Sequence, residues 1–154
     1  MIKYRLATIF DIPSISEMWR LMMDESDLES VDIIDDQEME RFAFQMTANL
    51  NNITHIIVIA CEGESIKGFT HGNIYETLYS KPAIRLQSQS TYVYPDYRKQ
   101  TVATELTDEF TRIAKTRSIY GMTEFMCKYD NRIIKKWERI GFKPDSVRMI
   151  RKET

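Results

Sequence analysis

The chain has 154 residues, of which 43% are hydrophobic and 29% charged, an ordinary composition for a soluble globular protein. The length predicts one domain, residues 1–154, with a buried core. The net charge of −2 argues against a nucleic-acid binder that works through bulk electrostatics. No apolar run approaches the ~20 residues that a membrane-spanning helix needs.

The two cysteines, Cys61 and Cys127, lie in apolar, strand-like runs, and the N-terminus lacks the apolar core of a signal peptide. We therefore expect two buried thiols in a reducing cytoplasm. Because the chain has only two histidines, His55 and His71, and no cluster of cysteines, we expect no metal site.

A strand followed by two helices is predicted for the first third of the chain. Residues Ile2–Ala7 form the predicted strand. Asp11 is a suitable N-cap, and Pro13 lies just inside the helix that follows. Apolar residues at helical spacing within Met39–Leu50 predict the second helix.

The stretch Asp24–Asp36 holds seven acidic residues and no cation. Such a run is commonly a solvated loop. The functional interpretation is a negative rim that attracts a cationic substrate. The sequence leaves both interpretations open.

A β-hairpin is predicted in the middle of the chain. Ile56–Cys61 is a continuous apolar run, which is typical of a strand buried on both faces. Glu62–Ser65 carries a turn signal, and Ile66–Tyr75 is the returning strand. Gly68 and Gly72 within it predict bulges or close backbone approaches.

A strand, a turn and a helix are predicted between Ala83 and Ser118. The strand Ala83–Tyr94 is closed by Pro95, and the turn that follows carries Arg98 and Lys99. A strand that delivers the chain to a helix N-terminus beside two cations makes an anion site, for which a pyrophosphate is a suitable ligand. The alternative is an ordinary turn with two solvated cations. The apolar face of the helix consists of Val102, Leu106, Phe110, Ile113 and Ala114.

The remaining elements are a strand, a short helix and a last strand. Met122–Cys127 and Val147–Ile150 are the predicted strands. A helix begins at Asp130-Asn131 and ends at Gly141. Its predicted inner face consists of Ile133, Ile134, Trp137 and Ile140. The order β-α-α-β-β-β-α-β-α-β predicts an α/β or α+β domain with a mixed, mostly antiparallel sheet.

Two stretches resemble the GCN5-related N-acetyltransferases, the GNAT family. Tyr92–Leu106 is similar to that family's acetyl-CoA-binding motif, which runs strand, Pro, Arg, glycine-containing pyrophosphate loop and helix. Asp130–Phe142, ending Trp137-Glu138-Arg139-Ile140-Gly141-Phe142, resembles a later strand–helix–Gly-Phe motif. The order of elements agrees along essentially the whole chain. The resemblance implies splayed central strands with helices on both faces of the sheet.

The resemblance implies acetyl transfer from acetyl-CoA, as cosubstrate, to a primary amine by direct attack in a ternary complex. The backbone of Thr91, Tyr92 and Val93 would contact the thioester and pantetheine. The pyrophosphate loop would consist of Arg98, Lys99, Gln100, Thr101, Val102, Ala103 and Thr104. Asn131 and Trp137 would complete the cofactor site, although Asp130 fits the spacing from Gly141 better. The implied partners are a small-molecule or protein amine and, as is frequent in the family, a second copy of the chain.

The sequence departs from the family at two positions. Thr101 stands where a glycine normally lets phosphate and backbone approach closely, and its Cβ crowds that site. Trp137 stands where a tyrosine acid is common, and an indole has no proton to give at useful pH. Trp137 could instead pack beside the cofactor's thiol end, or be a core aromatic.

Proton transfer has several candidates and no clear signature. His71 and Glu76 could act as the base directly or through water, or be a satisfied strand histidine and a solvated carboxylate. Tyr129 is a candidate acid, as are Tyr92, Tyr94 and Tyr120.

Three functions remain open at this point. The leading hypothesis is an N-acetyltransferase for a cationic amine. The second is a binding or regulatory module without turnover, because of Thr101 and Trp137. The third is transfer of another acyl group, or transfer to a nucleobase or hydroxyl, and the low basic charge counts against a nucleic-acid acceptor.

Overall fold

Five strands and four α-helices make up the described part of the chain, residues 1–26, 34–78, 81–125 and 131–144 of a computed structural model. The strands are β1 (Lys3–Leu6), β2 (His55–Glu62), β3 (Ser65–Glu76), β4 (Ile84–Val93) and β5 (Met122–Phe125). The helices are α1 (Ile12–Asp24), α2 (Asp36–Leu50), α3 (Val102–Arg117) and α4 (Asn131–Glu138). This order agrees with the predicted one up to α4, and the predicted last strand lies outside the described residues.

The five strands form one sheet, in which they lie side by side in chain order. The pairings from β1 to β4 are antiparallel, and β4 pairs with β5 in parallel. The parallel pairing follows from the connection, because α3 returns the chain to the same end of the sheet before β5 begins. The predicted mixed, mostly antiparallel sheet is confirmed.

Helices cover both faces of the sheet, and strand β2 lies between them. Alternate residues of a strand point to opposite faces. One set packs in the cluster beneath α1 and α2, namely Ile57, Ile59 and Cys61. The other set packs in the cluster beneath α3, namely Ile56, Val58 and Ala60. The apolar run of β2 is therefore explained by burial on both sides, which we call the α1/α2 face and the α3 face.

Glycines let β3 approach its neighbours closely, as predicted. A Cβ on Gly68 would lie 2.8 Å from the Tyr92 carbonyl oxygen, and one on Gly72 would lie 2.0 Å from the Gln87 carbonyl oxygen. His71 pairs with Ser90 while Gly72 pairs with Ser88, so that the register shifts and Gln89 is a bulge in β4. The bulge redirects β4 at its midpoint.

The acidic stretch between α1 and α2 is only partly a loop. Asp24 ends α1 and pairs with Arg20 at 3.1 Å. Asp35 caps α2, where its side chain accepts a hydrogen bond of 2.9 Å from the Glu38 N–H, and Asp36 is the first helical residue. Residues 27–33 lie outside the described part of the chain.

Asp11 occupies the predicted N-cap of α1, but its side chain does not cap that helix. The carboxylate instead accepts hydrogen bonds from the Arg5 guanidinium at 2.7 and 3.0 Å and from the Thr8 backbone N–H at 2.7 Å. These bonds hold the pKa of the Asp11 carboxyl below its usual value against the opposing effect of burial. Asp11 therefore ties β1 to the start of α1.

The short helix α4 is less buried than its pattern predicts. Ile133 and Ile140, on the predicted inner face, are 36% and 44% exposed. Trp137 contacts Phe125 of β5 at 4.3 Å between ring centroids and Phe142 at 5.5 Å. Aromatic stacking on β5 therefore holds α4 in place.

The predicted buried thiol at Cys61 is confirmed, whereas Cys127 lies outside the described residues. Among the helices that the structure describes, none has both the length and the apolar composition needed to cross a bilayer.

Candidate functional site

Strand β4 extends beyond the described part of its pairing with β5. The parallel pairing runs from Arg85 with Met122 to Ser88 with Phe125, whereas β4 continues to Val93. The Gln89 bulge falls immediately after the last paired residue. Residues 126–130, which follow β5, lie outside the described part of the chain, so the predicted splay beyond Ser88 stays a prediction. An unpaired strand edge presents backbone N–H and C=O groups with which an extended ligand can pair.

Three hydroxyl groups fix the bulge from the α3 face. The Thr70 hydroxyl lies 2.8 Å from that of Thr91 and 3.4 Å from that of Ser88, and the Ser88 and Thr91 hydroxyls are 3.2 Å apart. The Thr70 hydroxyl also lies 3.3 Å from the Ser90 carbonyl oxygen and can donate to it. Because these groups hydrogen-bond to one another, the bulge in β4 is a defined feature of the fold.

The turn after β4 leads into α3 without a side-chain cap. Thr101 is the N-cap residue, but its hydroxyl donates to the Glu105 carboxylate at 2.5 Å and makes no capping bond. The φ of Thr101 is −79°, which any L-residue adopts, so threonine in place of glycine causes no backbone strain at this position. The first N–H groups of α3 at Val102, Ala103 and Thr104 can therefore serve an anion.

One of the two cations of this turn, Arg98, is held by contacts within the chain. Arg98 Nε donates to the Val93 carbonyl oxygen at 2.7 Å, and its Nη2 donates to Glu25 at 2.6 Å. Its guanidinium also lies 5.1 Å above the Tyr92 ring. Lys99 and Gln100 are exposed on the turn. Of the two predicted cations, Arg98 is therefore already engaged within the chain.

The other predicted cofactor residues lie at the end of β4 and on α4. Tyr92 and Val93 are buried at the end of β4, and Thr91 belongs to the hydroxyl cluster. Asn131 is exposed at the start of α4. Trp137 packs on Phe125, the last described residue of β5. Trp137 is a half-buried aromatic at this position.

His71 is buried on the α1/α2 face, one register position before the bulge. Its Nε2 lies 3.3 Å from Asn49 Nδ2 and 3.3 Å from His55 Nδ1. Burial, and to a lesser degree the nearby His55, lowers the pKa of His71 to about 4. The imidazole is therefore neutral at pH 7 and a weak base.

We expect His71 to make folding sensitive to mild acid. Its pKa of about 4 in the folded protein is below the ~6.5 of an exposed histidine, so its contribution to stability is complete above about pH 6.5 and is lost as the pH falls towards 4. Between pH 7 and pH 4, the free energy of unfolding measured in urea should fall by up to about 3 kcal/mol more for wild type than for His71→Gln. If the free energy of unfolding changes equally with pH in the two proteins, His71 does not titrate in this way.

Glu76 lies far from the bulge at Gln89. It pairs with Ile84 at the end of β3, four residues beyond Gly72, which is about 13 Å along the strand. The structure therefore does not bring Glu76 and the bulge together, and Tyr129 lies outside the described residues.

Two of the other candidate acids have occupied hydroxyls. Tyr92 OH donates to Glu25 at 2.8 Å, and burial together with this hydrogen bond raises the pKa of Tyr92 to about 12. Tyr120 OH donates to the Thr111 carbonyl oxygen at 3.2 Å, and burial raises its pKa. Tyr94 packs edge-on against Tyr92. The hydroxyls of Tyr92 and Tyr120 are therefore engaged within the chain and are not placed as ready proton donors.

A polar group on the α1/α2 face was missed by sequence reasoning. Glu124 of β5 accepts a hydrogen bond of 2.6 Å from Tyr75 OH and pairs with Arg85. Glu124 pairs with Gln87 of β4, which lies two residues before the bulge. Alternating polar residues at Asn73 and Tyr75 were the available signal, since they indicate a strand with one polar face.

In the described part of the chain, no three His, Cys, Asp or Glu side chains gather so that they could hold a metal ion. The candidate site consists of the end of β4, the N-terminus of α3 and nearby polar side chains.

Comparison with known proteins gives the same fold. A possible acetyltransferase from Clostridium difficile 630 aligns with a TM-score of 0.76 at 15% identity, over 100% of this chain and 98% of that chain. A transcriptional regulator from Bacillus halodurans C-125 aligns with a TM-score of 0.77 at 16% identity, over 97% and 99%. A predicted acetyltransferase from Clostridium acetobutylicum, solved with acetyl-CoA, aligns with a TM-score of 0.73 at 22% identity, over 99% and 96%.

At these identities the solved structures show the fold alone, and a search of curated proteins found no match. The sequence pattern of the acetyltransferase (GNAT) family matches residues 15–142, which is most of the chain and includes β4, the turn, α3 and α4. The chain belongs to the GNAT family of acetyltransferases.

Proposed function

We propose that this chain transfers an acetyl group from acetyl-CoA to a primary amine by direct attack in a ternary complex. The observation that carries the proposal is the bulge of β4 at Gln89, which a short turn connects to the uncapped N-terminus of α3. A strand edge suits the amide-rich pantetheine chain, and helix N–H groups suit a pyrophosphate. The two features are adjacent because the short turn 94–101 joins them.

The cofactor contacts follow from this arrangement. The backbone of Thr91, Tyr92 and Val93 pairs with pantetheine and the thioester. The pyrophosphate is bound by the N–H groups of Val102, Ala103 and Thr104, with Lys99 as the exposed cation and Gln100 and Thr101 beside it. Asn131 and Trp137 contact the thiol end of acetyl-CoA.

The chemistry requires a neutral amine and a polarised carbonyl. A backbone N–H of β4 donates to the thioester oxygen and stabilises the negative charge that develops there. The amine lone pair attacks the carbonyl carbon, the C–S bond breaks, and the thiolate takes a proton. The acid is solvent or Tyr129, because the Trp137 indole has no acidic proton to supply.

Proton removal from the amine is assigned to water, which passes the proton to solvent, with a side chain as a relay. Of the two candidates, His71 lies one register position from the bulge and Glu76 at the far end of the strand. With a pKa of about 4, His71 is a weak base at neutral pH and would act through water.

A cationic acceptor is supported by part of the acidic stretch only. Asp24 is neutralised by Arg20, and Asp35 caps α2. Asp36 is exposed at the start of α2, so a carboxylate there is accessible to a cationic amine.

Calorimetric titration with acetyl-CoA and with CoA tests the proposal. We expect micromolar binding of both, followed by release of free thiol when the protein is given acetyl-CoA and a panel of primary amines. Absence of binding at millimolar CoA would remove the acetyltransferase assignment.

A binding or regulatory module without turnover is the second candidate, and Trp137 favours it because no acid replaces the family tyrosine at that position. Thr101 gives this candidate no support, since its backbone is unstrained. A single turnover of acetyl-CoA in the presence of an amine would exclude this candidate, and CoA binding without any turnover would favour it.

A further inference from the structure

Glu25 joins three elements around the candidate cofactor turn. It is the first residue after α1, and its carboxylate accepts hydrogen bonds from Tyr92 OH at 2.8 Å and from Arg98 Nη2 at 2.6 Å. Arg98 in turn donates to the Val93 carbonyl oxygen at 2.7 Å. The end of α1, the end of β4 and the turn are therefore connected through one ion pair.

The guanidinium of Arg98 lies on the side of the sheet away from α3. It stands 5.1 Å above the ring of Tyr92, and Tyr92 packs in the cluster beneath α1 and α2. Helix α3 packs on the opposite face, where Val102 and Leu106 belong to the other cluster. The cation that follows β4 is therefore directed away from the helix N–H groups that would bind a phosphate.

The ion pair also removes charge from the turn. A guanidinium forms its strongest hydrogen bonds with a carboxylate or a phosphate, and one that is held by a carboxylate is not available to a phosphate. The Glu25 and Arg98 side chains are each 42% exposed, so both remain accessible to rearrangement when an anion arrives.

We propose that Glu25 is a positioning residue of the cofactor site, which holds Arg98 on the α1/α2 face and thereby lowers the affinity of the turn for the phosphates of CoA. This inference rests on the proposed function, because that function supplies the anionic ligand. It gives Glu25, a residue 73 positions before Arg98, a role in setting cofactor affinity.

Calorimetric titration of Glu25→Gln with CoA tests this role. Glutamine keeps a side-chain oxygen that can accept from Tyr92 OH but loses the charge that holds Arg98. We expect CoA to bind about fivefold more tightly than to wild type, because Arg98 becomes free to face the phosphates. In the double variant with Arg98→Gln the gain should disappear. A residue with a purely structural role would only weaken binding when it is changed.

Glu17→Gln is the matched control, since it breaks a comparable pair with Arg20 on α1 and removes the same charge. Its CoA affinity should stay within about twofold of wild type, because Glu17 lies two helical turns from Glu25. Thermal unfolding of each variant confirms that the proteins compared are folded.

Unchanged or weaker binding by folded Glu25→Gln would overturn the inference and leave the proposed function standing. A gain that persists in the double variant would also overturn it, because Arg98 would then have no part in the effect. If neither wild type nor Glu25→Gln binds CoA, the proposed function fails and this inference fails with it.

Discussion

Thr101→Asp is expected to abolish most CoA binding while leaving the protein folded. Aspartate is a strong N-cap and would take the same α3 N–H groups that a pyrophosphate would use. It also places a negative charge next to the phosphates, so the dissociation constant should rise about 30-fold or more. Isothermal titration with CoA measures the effect.

The stability of the variant separates this effect from misfolding. A carboxylate at a helix N-terminus is favourable, although Glu105 stands nearby, so the free energy of unfolding should stay within about 1 kcal/mol of wild type. Thr101→Asn is the control, because asparagine caps equally well without charge and should weaken binding much less. Wild-type affinity in Thr101→Asp would show that the phosphates do not bind at this helix end.

Gly72→Ala is expected to cause a large loss of stability. Its Cβ would lie 2.0 Å from the Gln87 carbonyl oxygen and 2.7 Å from Phe110 Cζ, so the backbone of β4 or the core beneath α3 must shift. Overpacking of this kind lowers the free energy of unfolding by about 3 kcal/mol. Urea unfolding at neutral pH measures it, and CoA binding should fall as well, because the displaced β4 backbone carries the bulge.

Gly63→Ala is the matched control for the glycine itself. Gly63 has a φ of +59° in the hairpin turn, and nothing lies within 4 Å of an added Cβ. The cost there is backbone strain alone, about 1 kcal/mol. Equal losses of free energy of unfolding in the two variants would show that the β4 backbone can shift to accommodate a Cβ at Gly72. Close packing would then not fix the bulge.

Local patterns were sufficient for the elements and for part of the site. The apolar run of β2 is a local property of the chain, and it correctly indicated burial on both faces. The glycine positions in β3 indicated close approach, because only glycine tolerates a neighbouring backbone at that distance. The strand, turn and helix from β4 to α3 were also readable, since proline and helical periodicity are local signals.

Local patterns were misleading where an alternative partner was available. Asp11 was predicted to cap α1, but the Arg5 guanidinium on β1 competes for its carboxylate. Ile133 and Ile140 have the spacing of an inner face, yet spacing alone does not determine how much surface a neighbouring element covers.

The direction of the site's side chains was decided by tertiary structure alone. Arg98 meets Glu25 across 73 residues of sequence, and Tyr75 meets Glu124 across 49. Such pairs depend on the register of the sheet and on where α1 ends, neither of which is encoded by the neighbours of a residue in the chain. Composition and periodicity could therefore place a cation on the turn, whereas only the packing of α1 against β4 determines that Arg98 faces away from α3.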